Sequence, residues 1–369
     1  MMIVRTATIA FFLLATLPSL VVYAQDTATH RWIRPDHAVD EAVWGIENGI
    51  VFSLWPYGLE NREQRPYGGG PRGLIRVGYQ YGGETYMINF LAIEPIVGGK
   101  IEFSEISPSV VDGHWGKLLW AGDGPEASSY YPTARARGVV SQVGDAEQAI
   151  EELSVYIFME RFVHGAAPYL KLSIRSDRRE ELCVQVFHRE GSASMDRCAI
   201  TATMGNYSRL RNLYLKSDVV QSTQLYAGFD GIDFIEKDSY PIDQFVEDRD
   251  GYLWALATGD ETMEQLHDWP DDSLARTKMN WKYRPPFKLT QYWKKEKPTA
   301  DPSLSIRVNG RARYWSGGSR EVSHYMRIPG GPSFENFELR EKYVPGQRFY
   351  YGLSRKTPEE LIKRSLSSY

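Results

Sequence analysis

The sequence predicts a mostly β protein: a large antiparallel sandwich of two packed sheets, of the supersandwich kind, closed by a short C-terminal helix. Three observations predict it. Apolar residues alternate with period two through many short runs. Thirty-two glycines and twenty prolines punctuate those runs. Capped, helix-periodic segments are scarce.

The chain opens MMIVRTATIAFFLLATLPSLVVYAQDT, where Arg5 gives a positive start, Thr6 to Val22 an apolar stretch and Val22-Tyr23-Ala24 a small-residue exit. That order is the pattern of an export signal. It predicts residues 1–24 as a signal peptide cleaved before Gln25, and a secreted or periplasmic mature protein. Pro18 and Ser19 interrupt the apolar run, which is short for a bilayer crossing, and no later segment is apolar enough, so no membrane span is expected after cleavage. Residues 25–369 are read as one large domain, with a division inside 265–303 as the alternative. Losing Arg5 with the leader makes the formal charge one unit more negative than −4. A mildly acidic chain with interspersed charges argues against a nucleic-acid partner, which would call for a basic surface.

The next informative stretch is RPYGGGPRGLIRVGYQYGG, residues 65–83. A phosphate loop needs its glycines to open a helix, whose free amides hold the anion. Here they feed a strand instead: Ile75, Val77, Tyr79 and Tyr81 share one face, Leu74, Arg76, Gly78 and Gln80 the other. LSVYIFMERF, residues 153–162, is apolar on both faces and reads as a central strand. Leu170, Leu172 and Ile174 alternate with Lys171, Ser173 and Arg175 as a half-buried strand. SLSIRVNGRARYW carries Asn309-Gly310 between two alternating arms, the dipeptide of a tight hairpin. QRFYYGLS, residues 347–354, is the last strand. Thr357-Pro358-Glu359-Glu360 is a capping box with proline at the first helical position, so TPEELIKRSL ends the chain as a short helix. ETMEQLHDW, residues 261–269, is a second helical candidate, and DAEQAIEEL reads equally as helix or strand extension. Residues 121–138 and 267–286 read as long loops.

Cys183 and Cys198 are the two cysteines. Strand-like runs flank REGSAS between them, and folding that segment as a hairpin sets them opposite one another. In an exported chain this favours a disulfide worth about 3 kcal/mol, with unpaired buried thiols as the alternative.

No two of the seven histidines stand at zinc-pair spacing, and Asp248-Arg249-Asp250-Gly251 lacks the further ligands of a calcium loop, so no metal and no cofactor are expected. There is no GxSxG elbow and no nucleotide motif. Two close carboxylate pairs, Glu102 with Glu105 and Glu335 with Glu338, have the residue types that glycoside hydrolysis uses, Glu335 being the better placed because glycines and prolines frame its loop. A sharper constellation joins imidazoles to cations. His164 follows the strand 153–162, His188 ends another apolar strand face, and MGNYSRLRNLYL supplies Asn206, Tyr207, Arg209 and Arg211. Cleaving an acidic sugar by elimination needs a cation or amide on the uronate and a histidine or tyrosine to take the C5 proton. These types assign His164, His188, Tyr207 and Glu335 to catalysis, and Arg72, Asn206, Arg209, Arg211 and Asn336 to substrate binding. Aromatic residues make 13% of the chain. Several fall in apparent loops, among them Trp44, Trp55, Trp115, Trp120, Trp269 and Trp281, and flat amphipathic rings suit sugar faces. The chain is thus expected to be an exported protein that cleaves or modifies an acidic polysaccharide, as a lyase or glycoside hydrolase. A non-catalytic glycan-binding or cell-surface protein is the alternative.

Overall fold

The computed structural model describes residues 31–37, 40–54, 72–126, 136–144, 149–203, 209–259, 282, 285–315 and 325–362. Two antiparallel sheets, of ten and eleven strands, pack face to face within the compact unit 31–369. The first sheet starts as a meander through Trp32–Ile33 (β1), Val43–Ile46 (β2), Ile50–Leu54 (β3), Ile75–Tyr81 (β4) and the long Glu84–Val97 (β5), with Lys100–Ile101 (β6) folded back on it. The chain then enters the second sheet as Leu119–Gly122 (β7), Val139–Val143 (β8), Ile150–Met159 (β9), Pro168–Arg175 (β10) and Glu181–His188 (β11). Arg197–Thr203 (β12) returns to the first sheet beside β5. Asn212–Tyr214 (β13) and Val219–Gln221 (β14) lead through the single turn Ser222–Leu225 (α1) to Asp238–Pro241 (β15) at the far edge of the first sheet. Val246–Glu247 (β16), Tyr252–Thr258 (β17) and Thr290–Glu296 (β18) belong to the second sheet. Ser305–Arg311 (β19) pairs with Ser333–Lys342 (β22) in the first, and Arg313–Trp315 (β20) with Tyr325–Arg327 (β21) in a separate ribbon. Gln347–Ser354 (β23) and the helix Pro358–Ile362 (α2) follow.

Alternation places the core between the sheets. Leu170, Leu172 and Ile174 of β10 and Leu182, Val184 and Val186 of β11 face Cys198, Ile200 and Ala202 of β12 and Phe337 and Leu339 of β22, and all are fully buried. Polar links also cross this layer. Asn89 Nδ2 donates to Gln291 Oε1 at 2.8 Å and to the Tyr351 hydroxyl at 3.0 Å, and Trp293 Nε1 donates to the Phe337 carbonyl at 2.7 Å. Lys295 of β18 meets Glu341 of β22 in an ion pair whose side chains are 1% and 2% exposed. Each link pins one sheet against the other.

The strand readings over 75–81, 153–162, 170–174 and 347–354 correspond to β4, β9, β10 and β23, with β9 ending at Met159 instead of Phe162. The capping box is formed: Glu360 N donates to Thr357 Oγ1 at 3.3 Å and Thr357 N to Glu360 Oε2 at 2.7 Å. Gly73, just before β4, takes φ +71° with its α-carbon against the Ser104 carbonyl, so a side chain has no room there, while Gly68 to Gly70 lie outside the described residues. The helix expected over 261–269 lies outside the described residues, and the end of DAEQAIEEL enters β9 as strand.

Two expectations are corrected. Asn309-Gly310 is not a turn: β19 runs straight through it, and the register against β22 shifts at that point as a bulge. Asn309 Oδ1 accepts from Asn336 N at 3.2 Å, and the Tyr226 ring packs on Gly310, so the small residue makes room for a ring rather than a reversal. The cysteine segment is not a hairpin either. Cys183 lies in β11 of the second sheet and Cys198 in β12 of the first; Cys198 faces the core, whereas Cys183 alternates with the core-facing Leu182 and Val184 and points outward. Both thiols are free.

Candidate functional site: an acid cluster on the outer face of the ten-stranded sheet

Residues that alternate with the core positions of β5, β12, β22 and β19 line the outer face of the first sheet. There the register brings together Glu94, Thr201, Glu338 and Arg307: Thr201 opposes Glu338 and Ala92, and Glu338 opposes Arg307. Lys237, just before β15, reaches over them and donates to Glu94 Oε2 at 3.3 Å and to Glu338. Arg307 Nη1 donates to Glu338 Oε1 at 2.7 Å, and the Thr201 hydroxyl donates to Glu94. Because one ammonium touches both, the Glu94 and Glu338 carboxyls stand within about 6 Å of each other. Phe103 and Glu105, after β6, cover the cluster, with the Phe103 ring 5.4 Å from Lys237 Nζ.

Although this face points away from the sandwich core, Glu94 is 1% and Glu338 0% exposed. Burial of this depth acts on protonation. Burial first, and then repulsion from Glu338, push the Glu94 carboxyl up to about 8 against the pull of Lys237. Burial likewise raises Glu105 to about 7, opposed by its own backbone amide and by Lys237. Its Oε2 atom is shielded from solvent and has no hydrogen-bond partner among the described residues. Glu338, with two cationic donors, is the acid best supplied with counter-charge. Two neighbouring carboxyls, one of them pushed up by burial, are the arrangement from which separate acid and base roles are drawn. The cluster meets solvent through Lys237 and Arg307, whose side chains are 15% and 19% exposed. Along the same face Arg76 lies over the Phe90 ring at 4.3 Å, and Thr203 Oγ1 donates to Asn336 Oδ1 at 3.0 Å.

The residues singled out in the sequence are placed apart. His164 is packed: Nε2 lies 3.1 Å from the Pro95 carbonyl, Ala166 N donates to Nδ1 at 3.3 Å, and the ring stacks on Phe162. Glu102 accepts from the backbone amides of Val163 and His164 at 3.1 and 2.6 Å and is absorbed in that turn. His188 is exposed and its Nδ1 is 2.8 Å from the Tyr343 hydroxyl. Both histidines thus lie near the Asp196 end of β12, since Pro95 opposes Cys198 and Tyr343 N donates to the Asp196 carbonyl. Glu335 and Asn336 lie at the other end, where Asn336 opposes Thr203, five residues and about 16 Å along the strand. Arg209 and Arg211 flank Leu210, which bridges to Phe334 at that same end. Arg211 donates to the carbonyls of Pro329, Gly331 and Pro332, Arg209 to Pro329, and Arg311 Nε meets Glu335 Oε2 at 2.8 Å. Arg72 forks onto Asp112 at 2.9 and 3.0 Å. Asn206 and Tyr207 lie outside the described residues. The imidazoles and arginines therefore do not share one hollow. Among the aromatics, Trp44 and Trp120 are buried in strands, while Trp115 is 69% exposed; Trp55, Trp269 and Trp281 are outside the described residues.

Each sequence carboxylate pair gives one member to the cluster, Glu105 and Glu338. Glu94 went unnoticed, yet a signal existed: in LAIEPIV, residues 91–97, an acid interrupts an apolar strand, and a charge there is buried with partners or titrated. Thr201, Lys237 and Arg307 had no local signal because only sheet register assembles them.

The outer face of the second sheet holds a depression of about 810 Å³ walled by Arg178, Glu181, Tyr252, Trp254, Tyr292 and Lys294. Its charges hold one another. Lys294 pairs with Glu181 and lies 4.4, 4.9 and 5.1 Å from the Tyr252, Tyr350 and Trp254 rings, and Tyr292 donates to Glu181 at 3.2 Å. At its rim Asp248 accepts from Asp250 N, Tyr252 N and Trp254 Nε1, which makes that acidic run a self-bonded turn. Among the described residues no His, Cys, Asp and Glu group is arranged to hold a metal, and no helix is long and apolar enough to cross a membrane.

Fold and site together define a large antiparallel β-sandwich with a buried acid cluster on one outer face. No protein-family model, curated protein or solved structure matches the chain.

Proposed function

We propose that the protein is an exported carbohydrate-active enzyme that cleaves an acidic polysaccharide at the outer face of the ten-stranded sheet. The observation that carries this reading is that Glu94 and Glu338 share Lys237 and so stand within about 6 Å of each other, with burial pushing the Glu94 carboxyl up to about 8. That separation suits glycoside hydrolysis with retention, for which two carboxyls about 5 Å apart serve as acid and nucleophile. Glu94 gives its proton to the glycosidic oxygen as the bond to the anomeric carbon breaks, and Glu338 bonds to that carbon. Water then enters with Glu94 as base, releasing the sugar and restoring both groups. Lys237 bridges the two carboxyls, so its displacement by the sugar is the step that uncovers them. The leader-like residues 1–24 support export, and Arg307 and Lys237 support an anionic substrate.

The test is a polysaccharide panel incubated with the mature chain while ultraviolet absorbance and reducing ends are followed. New ends without absorbance, lost on the order of 10²-fold or more in Glu94→Gln and Glu338→Gln, is the expected result. New absorbance instead means elimination and sinks the two-carboxyl mechanism. Retention on a glycan column with neither signal replaces the enzyme by a binding module.

A further inference from the structure

Two residues along β22 from Glu338 lies Arg340, on the same outer face, since the two flank the core residue Leu339. Its side chain makes no hydrogen bond or ion pair among the described residues, and its Nε is shielded from solvent without a partner. A guanidinium has five donors and stays charged; Arg340 is half-buried, so its exposed donors face solvent while the shielded Nε has no protein partner, which leaves the fork open to an incoming anion. Its neighbours add to the deficit. Arg340 opposes Ala199 of β12 on one side and Ser305 of β19 on the other, which places Arg197 and Arg307 at its two diagonals, about 7 Å away. Arg197 is exposed and Arg307 is tied to Glu338 through Nη1. Three adjacent strands thus present Arg197, Arg340 and Arg307 as a row of like charges, and burial followed by repulsion from Arg307 holds the Arg340 guanidinium below its usual range against the pull of Glu338 and Glu94. Three guanidinium groups on adjacent strands, the central one making no ion pair with a side chain, offer an oxyanion more positive charge than Glu338 alone takes up.

We propose that Arg340, flanked by Arg197 and Arg307, is the subsite that binds the carboxylate or sulfate group of an acidic sugar beside Glu94 and Glu338. This rests on the reading of the outer face as a glycan site, and it deepens that reading by placing the anionic substituent. Arg340 takes two oxygens in bidentate fashion, while Arg197 and Arg307 neutralise the remaining charge. A neutral sugar at this position would leave the fork empty.

The experiment titrates methyl glucuronide and, separately, inorganic sulfate into the mature protein and follows backbone amide shifts on β12, β19 and β22 by nuclear magnetic resonance. Saturable binding of at least one probe is expected, weakened about tenfold or more in Arg340→Gln and less in Arg340→Lys, which keeps charge but loses the fork. The probe that binds identifies the substituent. Arg197→Gln, at an exposed position, provides a variant whose folding is not at issue and is expected to weaken the same probe a few-fold. No saturable binding of either probe, or equal binding by wild type and both glutamine variants, overturns the subsite. Because inorganic sulfate has no glycosidic bond, and methyl glucuronide is titrated into Glu94→Gln as well as wild type, the result is separate from cleavage: Glu94→Gln that binds the probe normally while the panel shows no turnover by wild type would sink the enzyme and leave the anion subsite standing.

Discussion

At the scale of the residue, Glu94 and Glu105 set the pH behaviour. A carboxyl whose folded pKa lies above its unfolded value binds more protons in the native state, so stability falls as pH rises between the two values. For Glu94 that window runs from 4.5 to about 8, and for Glu105 from 4.5 to about 7. The contribution is fully present below the unfolded value and is lost as pH rises through the folded one. Glu94→Gln is therefore expected to flatten the fall of melting temperature between pH 5 and 8, and to be more favourable relative to wild type at pH 8 than at pH 5; scans across that range check it. If Glu94 is the acid of the reaction, turnover in wild type declines as pH passes about 8. Arg211 illustrates a different kind of buried charge. Its fork holds three carbonyls of the 329–332 turn and is 1% exposed. Arg211→Met strands those acceptors, and a loss of about 2–4 kcal/mol by denaturant unfolding is expected. In sequence, Arg211 and Arg340 look equivalent, each a cation in a strand-like run. What separates them is whether chain carbonyls reach the guanidinium, and that is a tertiary fact.

At the scale of the element, period-two alternation made β4, β10 and β23 legible, because a strand with one buried face writes its geometry into every second residue. The same reasoning failed at Asn309-Gly310, where the dipeptide that favours a primed turn instead meets a ring from α1's flank. Tyr226 stands where a Gly310 Cβ would be, with Cε2 at 2.3 Å, and Ser333 O at 3.0 Å. Gly310 has no positive φ among the residues that take one, so its smallness matters here and its backbone freedom does not. Gly310→Ala is accordingly expected to cost about 1–3 kcal/mol through displacement of that ring, measurable as a shift in denaturation midpoint, and Tyr226→Leu in the same chain should recover part of it. The acid cluster was legible only in fragments for a related reason. Glu105 and Glu338 were visible as members of local pairs, but Glu94, Thr201 and Arg307 come from three other strands, and a sequence with no register has no means of aligning them.

At the scale of the whole molecule, the placement of two cysteines tests which strands belong to which sheet. The hairpin expectation and the observed topology make opposite demands. A hairpin of 181–203 would set Cys183 and Cys198 side by side; the sandwich sends β11 and β12 into different sheets, whose mean planes lie about 10 Å apart, with Cys183 on the far side of its own. A disulfide tolerates little more than 6 or 7 Å between α-carbons, so no bridge can form without dismantling a sheet. Burial also quiets both thiols: it pushes Cys183 up to about 12 and Cys198 higher still, with repulsion from nearby acids adding to each. Chemistry then reports on topology. Thiol titration of the unreduced protein in denaturant should return two equivalents, and reducing agent should leave the melting temperature unchanged. In the native state iodoacetamide should leave Cys198 unlabelled at neutral pH, and its labelling should appear as denaturant crosses the midpoint, since Cys198 is exposed only when the two sheets part. One thiol equivalent fewer per cysteine, or a melting temperature lowered by reduction, would mean that β11 and β12 are neighbours. The ten-stranded sheet would then lose the β12 register that aligns Thr201 with Glu338 and Arg340 with Ala199, and with it the acid cluster and the arginine row.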